Sequence, residues 1–165
     1  MTHDAAELYR RFAPAVLGYV RTQGVAEPED LLGEIFLQVV RDLPRFDGDE
    51  AAVRRWVFTI AHHRLIDGHR RSRRRPAMAA GPLPELPVVS DPDPFDPELL
   101  QALTRLTAEQ REVVALRFVA DLPIDAVAAV TGRSSGAVKA LQHRALDSLA
   151  RELAERWSPR SATGA

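Results

Sequence analysis

LTAEQREVVALRFVADLPIDAVAAVTGRSSGAVKALQHRALDSL, residues 106–149, is the stretch of sequence that decides the fold. Its first apolar run begins behind Thr107 and Gln110, which have the spacing of a capping box. In that motif the Thr hydroxyl and the Gln side chain satisfy free backbone N–H groups at the start of a helix. The stretch therefore predicts a helix from Thr107 to about Val119.

Two more helices are predicted in the same stretch. Pro123 suits the first turn of the second helix, Gly132 offers a stop for it, and Ser134 can cap a third helix that runs to about Trp157. The third helix has an apolar stripe, formed by Val138, Leu141, Ala145, Leu149 and Leu153. The positions that face away from this stripe are Lys139, Ala140, His143, Arg144 and Asp147. The basic residues among them lie in the N-terminal half of the helix.

A short helix, a glycine turn and a second, basic helix are typical of helix-turn-helix proteins. These proteins place the second helix in the major groove of DNA. A helical hairpin with a purely structural role has the same spacing, so this pattern alone leaves both interpretations open.

Upstream of this stretch, apolar residues recur at helical spacing over residues 8–20, 30–43 and 51–74. No segment shows the alternation of a half-buried strand. The sequence therefore predicts an all-α chain whose first part, residues 1–75, is a bundle of three helices.

A proline-rich segment separates the two parts. Residues 76–97, PAMAAGPLPELPVVSDPDPFDP, contain seven of the twelve prolines. Proline removes a helix donor and pushes the preceding residue towards extended backbone, so this segment predicts a flexible linker. We expect two small helical domains, residues 1–75 and 98–157, with a disordered tail at 158–165. At ~3.1 Å per residue an extended linker of this kind spans up to about 70 Å.

The charge of the chain is segregated along its length. The net charge is −1, which by itself argues against a general nucleic-acid binder. Residues 62–75, however, hold six arginines and three histidines, with Asp67 as the only acid. Such a basic stripe can neutralise phosphates, although a solvated helix end that leads into a linker would have the same composition.

Several classes of protein lose support from the composition. The chain has no cysteine, which removes disulfides and thiolate metal sites. His62 and His63 are adjacent, so on a helix they point about 100° apart and cannot clasp one metal as an i, i+4 pair does. No glycine-rich phosphate loop and no Gly-x-Ser-x-Gly motif occurs, so we expect neither an enzyme nor a bound cofactor or metal. With no signal-peptide pattern and no apolar run of ~20 residues, we expect a soluble, cytoplasmic protein without membrane insertion.

Three motifs taken together resemble the extracytoplasmic-function sigma factors. They are DLLGEIFLQVVRDLPRFDGD at residues 30–49, RRWVFTIAHHRLIDGHRR at 54–71, and the stretch at 106–149. They occur in the order of regions two and four of that family. The resemblance implies a region-two helical bundle and a region-four helix-turn-helix. It also implies an RNA polymerase sigma factor that directs promoter-specific initiation, with core RNA polymerase, promoter DNA and an anti-sigma factor as partners.

The same resemblance implies three sets of contacting residues. Those expected to dock on the clamp helices of the largest polymerase subunit are Asp30, Leu31, Glu34, Ile35 and Gln38. Those expected to melt and hold the minus-ten element are Phe46, Trp56, Thr59, His62, His63, Asp67, Arg70, Arg71, Arg73 and Arg74. Those expected to read the minus-thirty-five element, while region four packs on the polymerase flap, are Arg133, Ser134, Ser135, Lys139, Ala140, His143 and Arg144. Arg144 is the best candidate for a bidentate guanine contact.

Two other functions remain open at this point. One is a two-domain helix-turn-helix regulator that binds DNA alone, and the other is an adaptor that uses its helices only for protein contacts. Dependence on polymerase separates the first of these from a sigma factor, and the basic stripe argues against the second.

Overall fold

The computed structural model describes residues 3–74 and 96–157, apart from the side chains of 72–74 and 157. The described residues form helices and no strand, which confirms the all-α prediction. The helices are α1 (Ala5–Thr22), α2 (Pro28–Asp42), α3 (Glu50–Arg74), α4 (Pro97–Thr104), α5 (Ala108–Val114), α6 (Ile124–Thr131) and α7 (Ser135–Trp157). A 3₁₀ turn at Leu43–Arg45 precedes α3, and a π-helical segment at Ala115–Val119 extends α5.

Residues 3–74, here called the first unit, fold as the predicted bundle of three helices. Gly24 has a φ of +71°, which glycine adopts without strain, and it turns the chain between α1 and α2. Pro28 begins α2, where its missing N–H has no helical partner to lose. The interior of the bundle is apolar, and its fully buried members include Phe12, Val16, Ile35, Val39, Val53, Val57 and Phe58.

Residues 96–157, here called the second unit, contain the three helices predicted from residues 106–149. The capping box is present: the Gln110 N–H donates to Thr107 Oγ1 at 3.2 Å, and the Thr107 N–H donates to Gln110 Oε1 at 3.3 Å. Gly132 ends α6 with a φ of +69°, and Ser134 Oγ accepts from the Ala137 N–H at 3.1 Å. The structure therefore confirms the predicted capping box, the glycine stop and the serine cap.

Helix α4 was not predicted. Asp96 caps it, because its side chain accepts from the Glu98 N–H at 2.9 Å, and Pro97 is its first residue. Its buried residues form a small cluster with α5 and α7, made of Ala102, Leu103, Leu106, Val114, Ala145 and Leu149. The predicted linker, residues 76–97, overlaps this helix at Pro97. Asp96 is the cap of that helix, whereas residues 76–95 of the linker and the tail at 158–165 lie outside the described residues.

The two units pack against each other rather than standing apart. Helix α6 lies on α3, and the π-helical segment lies on α1. One continuous apolar cluster runs through both units, from Phe12 and Phe58 in the first to Leu116 and Leu122 in the second. The sequence predicted two domains whose linker would permit a compact state, but no local pattern identifies the residues of this contact.

Candidate polymerase and nucleic-acid interfaces

Helix α2 has one face in the core and one exposed face. The exposed face carries the acids Asp30 and Glu34 together with two large apolar residues, Leu37 and Val40. Leu37 is 67% exposed and Val40 is 52% exposed, so two large apolar side chains lie three positions apart on this face. We call these four residues the α2 patch.

The structure corrects two of the predicted polymerase contacts. Leu31 is 8% exposed and Ile35 is fully buried, and both belong to the core of the first unit. Neither side chain reaches the surface of the folded chain. Gln38 is half-buried and is held by Asp42, Arg41 and Arg64.

An aromatic pair lies at the beginning of α3. The rings of Phe46 and Trp56 stack with centroids 4.5 Å apart and an interplanar angle of 25°. Gly48 permits this arrangement, because a Cβ there would lie 2.7 Å from Phe46 Cζ. The loop is further fixed by His3, whose Nε2 lies 3.2 Å from the Gly48 carbonyl oxygen. The Trp56 ring is half-buried, so it serves the core and also reaches the surface.

The second half of α3 presents most of the remaining minus-ten residues on one side. Thr59 is partly exposed, and its hydroxyl donates to the Arg55 carbonyl at 2.8 Å. The exposed residues that follow at helical spacing are His63, Asp67, Arg70 and Arg71. The side chains of Arg73 and Arg74 lie outside the described part of the chain.

His62 is separated from this group. It is 7% exposed, and its Nδ1 contacts Oε1 of Glu112 in the second unit. Because adjacent helical residues point about 100° apart, His63 is exposed while His62 faces the other unit. The prediction that His62 contacts DNA is therefore wrong for this structure, because its ring is buried between the two units.

The predicted minus-thirty-five residues lie in the turn before α7 and on the exposed side of its first three turns. Val138 and Leu141 are buried, as the apolar stripe predicted, while Lys139, Ala140 and Arg144 are exposed. Other predicted members are engaged with neighbours. Ser134 caps the helix, and Arg133 pairs with Glu109 at 3.1 Å.

The two long polar side chains near the middle of this surface differ in their contacts. His143 Nε2 lies 3.5 Å from Asp147 one turn later. Arg144 has no hydrogen bond or ion pair to any described residue. Its guanidinium is therefore available to a partner.

Among residues 3–74 and 96–157, no three His, Asp or Glu side chains lie close enough together to hold a metal ion. No helix in these two ranges is both long and apolar enough to cross a membrane.

Comparison with known protein families supports the resemblance from the sequence. The Sigma-70 region 2 family matches residues 8–75, and the Sigma-70 region 4 family matches residues 97–149. The chain is 34% identical to the ECF RNA polymerase sigma factor BldN of Streptomyces coelicolor over 88% of its own length and 59% of BldN. It is 33% identical to the ECF RNA polymerase sigma factor RpoE of Cereibacter sphaeroides over 87% of its own length and 83% of RpoE.

Solved structures show the same fold. The sigma factor RpoE in complex with the anti-sigma factor NepR from Bartonella quintana matches with a TM-score of 0.70 and 20% identity, over 90% of this chain and 95% of that one. CnrH in complex with the cytosolic domain of CnrY matches with a TM-score of 0.65 and 22% identity, over 92% and 88%. Because both halves match in sequence and in order, a stand-alone regulator is not favoured. The chain belongs to the extracytoplasmic-function sigma factors of RNA polymerase.

Proposed function

We propose that this chain recruits core RNA polymerase to promoters and reads their minus-ten and minus-thirty-five elements with two separate surfaces. The observation that carries the proposal is the presence of two exposed basic faces on different units, one on α3 and one on α7, beside the acidic and apolar α2 patch. Its role is that of a specificity subunit in the cytoplasm, and it performs no covalent chemistry itself.

The α2 patch is proposed as the surface that binds the clamp helices of the largest polymerase subunit. Exposed Leu37 and Val40 provide apolar contact area, and Asp30 and Glu34 beside them disfavour DNA phosphates. Exposed apolar residues with charged neighbours are the chemistry of a protein–protein interface. The proposed contact surface still includes the two acids that the resemblance implied. Its apolar members are the exposed Leu37 and Val40 instead of the buried Leu31 and Ile35.

The α3 surface is proposed to hold the opened minus-ten strand. An unstacked base gains about 1–3 kcal/mol by stacking on an aromatic ring, and the Phe46–Trp56 pair presents rings at the start of the helix. Exposed Arg70 and Arg71 lie further along the helix and neutralise phosphates of the displaced strand.

The start of α7 is proposed to enter the major groove at the minus-thirty-five element, with the polymerase flap contacting the second unit. The N-terminus of a helix favours phosphates through its unpaired N–H groups and its dipole. Lys139 and Arg144 then face the base edges and the backbone from exposed positions of the first three turns.

An anti-sigma factor is proposed as a further partner. The solved relative from Bartonella quintana is in complex with the anti-sigma factor NepR. The α2 patch and the α7 surface are both exposed in this chain, and an antagonist that covers either one competes with polymerase or promoter.

Run-off transcription tests the function. Purified core RNA polymerase is incubated with fragmented genomic DNA at a stated salt concentration, with and without this protein. We expect discrete new transcripts that require both protein and polymerase. Specific DNA binding without core enzyme, and no new transcript with it, would replace the sigma function by that of an independent regulator.

A pair of charge reversals tests the α2 patch in the same assay. Glu34→Lys should lower the affinity for core enzyme and abolish the new transcripts. The substitution reverses a charge next to exposed Leu37, inside the surface proposed to bind polymerase. Glu7→Lys makes the same change at an exposed position of α1 and should leave transcription unchanged. Equal loss in the two variants would show that general charge, rather than the patch, is responsible.

A further inference from the structure

The loop before α3 is closed on itself around an aromatic ring. It consists of residues 46–49, between the 3₁₀ turn and α3. A Cβ on Gly48 would lie 2.7 Å from Phe46 Cζ and 2.9 Å from Ala52 Cβ, so the Phe46 ring lies directly against the backbone of Gly48. The position of that backbone therefore decides where the ring can lie.

Each end of this loop is fixed by a hydrogen bond to a near neighbour in the chain. The Phe46 N–H donates to the Leu43 carbonyl oxygen at 3.1 Å, which continues the 3₁₀ turn. Asp49 caps α3, because its Oδ1 accepts from the Ala52 N–H at 2.9 Å. The hydrogen bond at Gly48, between these two ends, comes instead from a residue 45 positions away.

His3 supplies this hydrogen bond. Its Nε2 lies 3.2 Å from the Gly48 carbonyl oxygen, and its ring centroid lies 5.7 Å from that of Phe46 at an interplanar angle of 53°. A carbonyl oxygen only accepts, so the imidazole carries its proton on Nε2. His3 therefore contacts the loop twice, once at its backbone and once at its aromatic ring.

His3 is itself held in place, although it precedes the first helix. Only Asp4 separates it from α1, and the Asp4 carbonyl oxygen accepts from the Leu8 N–H at 3.0 Å. Arg11, on the same helix, forms an ion pair with Glu50 at the beginning of α3. The start of α1 is thereby fixed beside the loop, so little conformational freedom is lost when His3 binds it.

The contact continues from Phe46 to Trp56, whose rings stack with centroids 4.5 Å apart. His3, Phe46 and Trp56, here called the ring cluster, are all half-buried, and they join the segment before α1 to the loop and to α3. A base that leaves the duplex loses its pairing and stacking. A surface that is already ordered recovers more of that loss than one that must first be ordered.

We propose that His3 is a positioning residue for promoter opening, which holds the Phe46–Trp56 pair in place before a minus-ten base leaves the duplex. The proposal rests on the proposed sigma function, since the opened minus-ten strand is what the pair receives. His3 acts through the Gly48 carbonyl oxygen and the Phe46 ring rather than by touching DNA. The resemblance placed this step on residues 46–74 and gave no role to the segment before α1.

Trp56 reports the state of the ring cluster in the free chain. The sequence has two tryptophans, so Trp157→Phe leaves Trp56 as the single emitting tryptophan. In that background His3→Ala should shift the Trp56 emission to longer wavelength and raise the rate at which acrylamide quenches it, because the loop opens more often to water. Asp4→Asn is the matched control. It changes the adjacent exposed residue, whose side chain makes no cap hydrogen bond, and should leave both readings unchanged.

Promoter opening is measured with core polymerase and a duplex promoter that carries 2-aminopurine in the minus-ten element. His3→Ala should slow the rise in fluorescence by about fivefold to tenfold, because it removes one hydrogen bond and one ring contact. On a template already unpaired across the minus-ten element, the two proteins should differ by at most about twofold, since no base has to leave a duplex. His3→Gln keeps an N–H donor for the Gly48 carbonyl oxygen and should recover part of the rate. Damage to the general fold would instead lower the rate equally on both templates.

Gly48→Ala tests the path from His3 to Phe46. The added methyl group would meet the Phe46 ring, so the ring must move, and opening should slow about as much as in His3→Ala. Because both substitutions act on the same loop, the double variant should be little slower than either single one. Effects that multiply in the double variant would place the action of His3 elsewhere and overturn the proposal.

The failure of this proposal and the failure of the sigma function give different results. If the wild-type chain transcribes normally, equal opening rates in wild type and His3→Ala, or an unchanged Trp56 emission, would overturn the role of His3 and keep the function. If the wild-type chain opens no promoter, the sigma function is removed, and the role of His3 in opening with it.

Discussion

Arg144→Ala is the most direct test of how this chain reads DNA. The side chain is exposed and has no partner among the described residues, and alanine is favourable on a helix surface. The substitution should therefore leave the free energy of unfolding within about 0.5 kcal/mol of wild type. Any larger change in promoter use then reports a lost contact to DNA rather than damage to α7.

The expected loss follows from the chemistry of the guanidinium. A bidentate arginine–guanine contact discriminates against other bases by about 1–3 kcal/mol, which is about 5-fold to 150-fold in transcription from a promoter with the preferred base. The loss should be confined to one base pair, because the other exposed side chains of α7 are unchanged. Promoters that already carry another base at that position should be used equally by both proteins.

The assay is transcription from a panel of promoters substituted at each position of the minus-thirty-five element, with core polymerase and a fixed salt concentration. Arg151→Ala is the matched control, because Arg151 is exposed on the same helix two turns later, beyond the positions proposed to enter the groove. A uniform drop across the panel would assign Arg144 to a phosphate instead. An unchanged preference would refute the reasoning.

Four other substitutions test the fold and its interfaces. Ile35→Ala should lower the free energy of unfolding by about 2–4 kcal/mol, while Leu37→Ala should leave it nearly unchanged and weaken core binding; urea unfolding and a pull-down with core enzyme distinguish them. Burial and the charge of Glu112 raise the pKa of Tyr19 well above its usual value near 10, so the folded chain keeps a proton that the unfolded chain releases. The free energy of unfolding should therefore fall as pH rises past about 10, and Tyr19→Phe should lack this dependence when unfolding is measured across alkaline pH. Thr107→Ala removes the capping box and should lower the melting temperature through a loss of about 1 kcal/mol; an unchanged value would contradict the role of the cap.

The helices were predictable where the signal is local. The capping box formed by Thr107 and Gln110 depends only on residues within one helical turn, and it is present as predicted. The same is true of Gly132, which ends α6 with a positive φ. Helix α4 also has a local signal, since Asp96 and Pro97 form a capped start with an acid in the first turn. That signal was outweighed by the six prolines before it, which favoured a continuous linker.

The exposed face of α2 was not predictable from periodicity. The helix has apolar residues on more than one side, so a buried stripe through Ile35 and an exposed patch with Leu37 fit the same pattern. Only packing against α1 and α3 decides which stripe is inside. The same holds for His62, because Glu112 lies 50 residues away and no local pattern joins them.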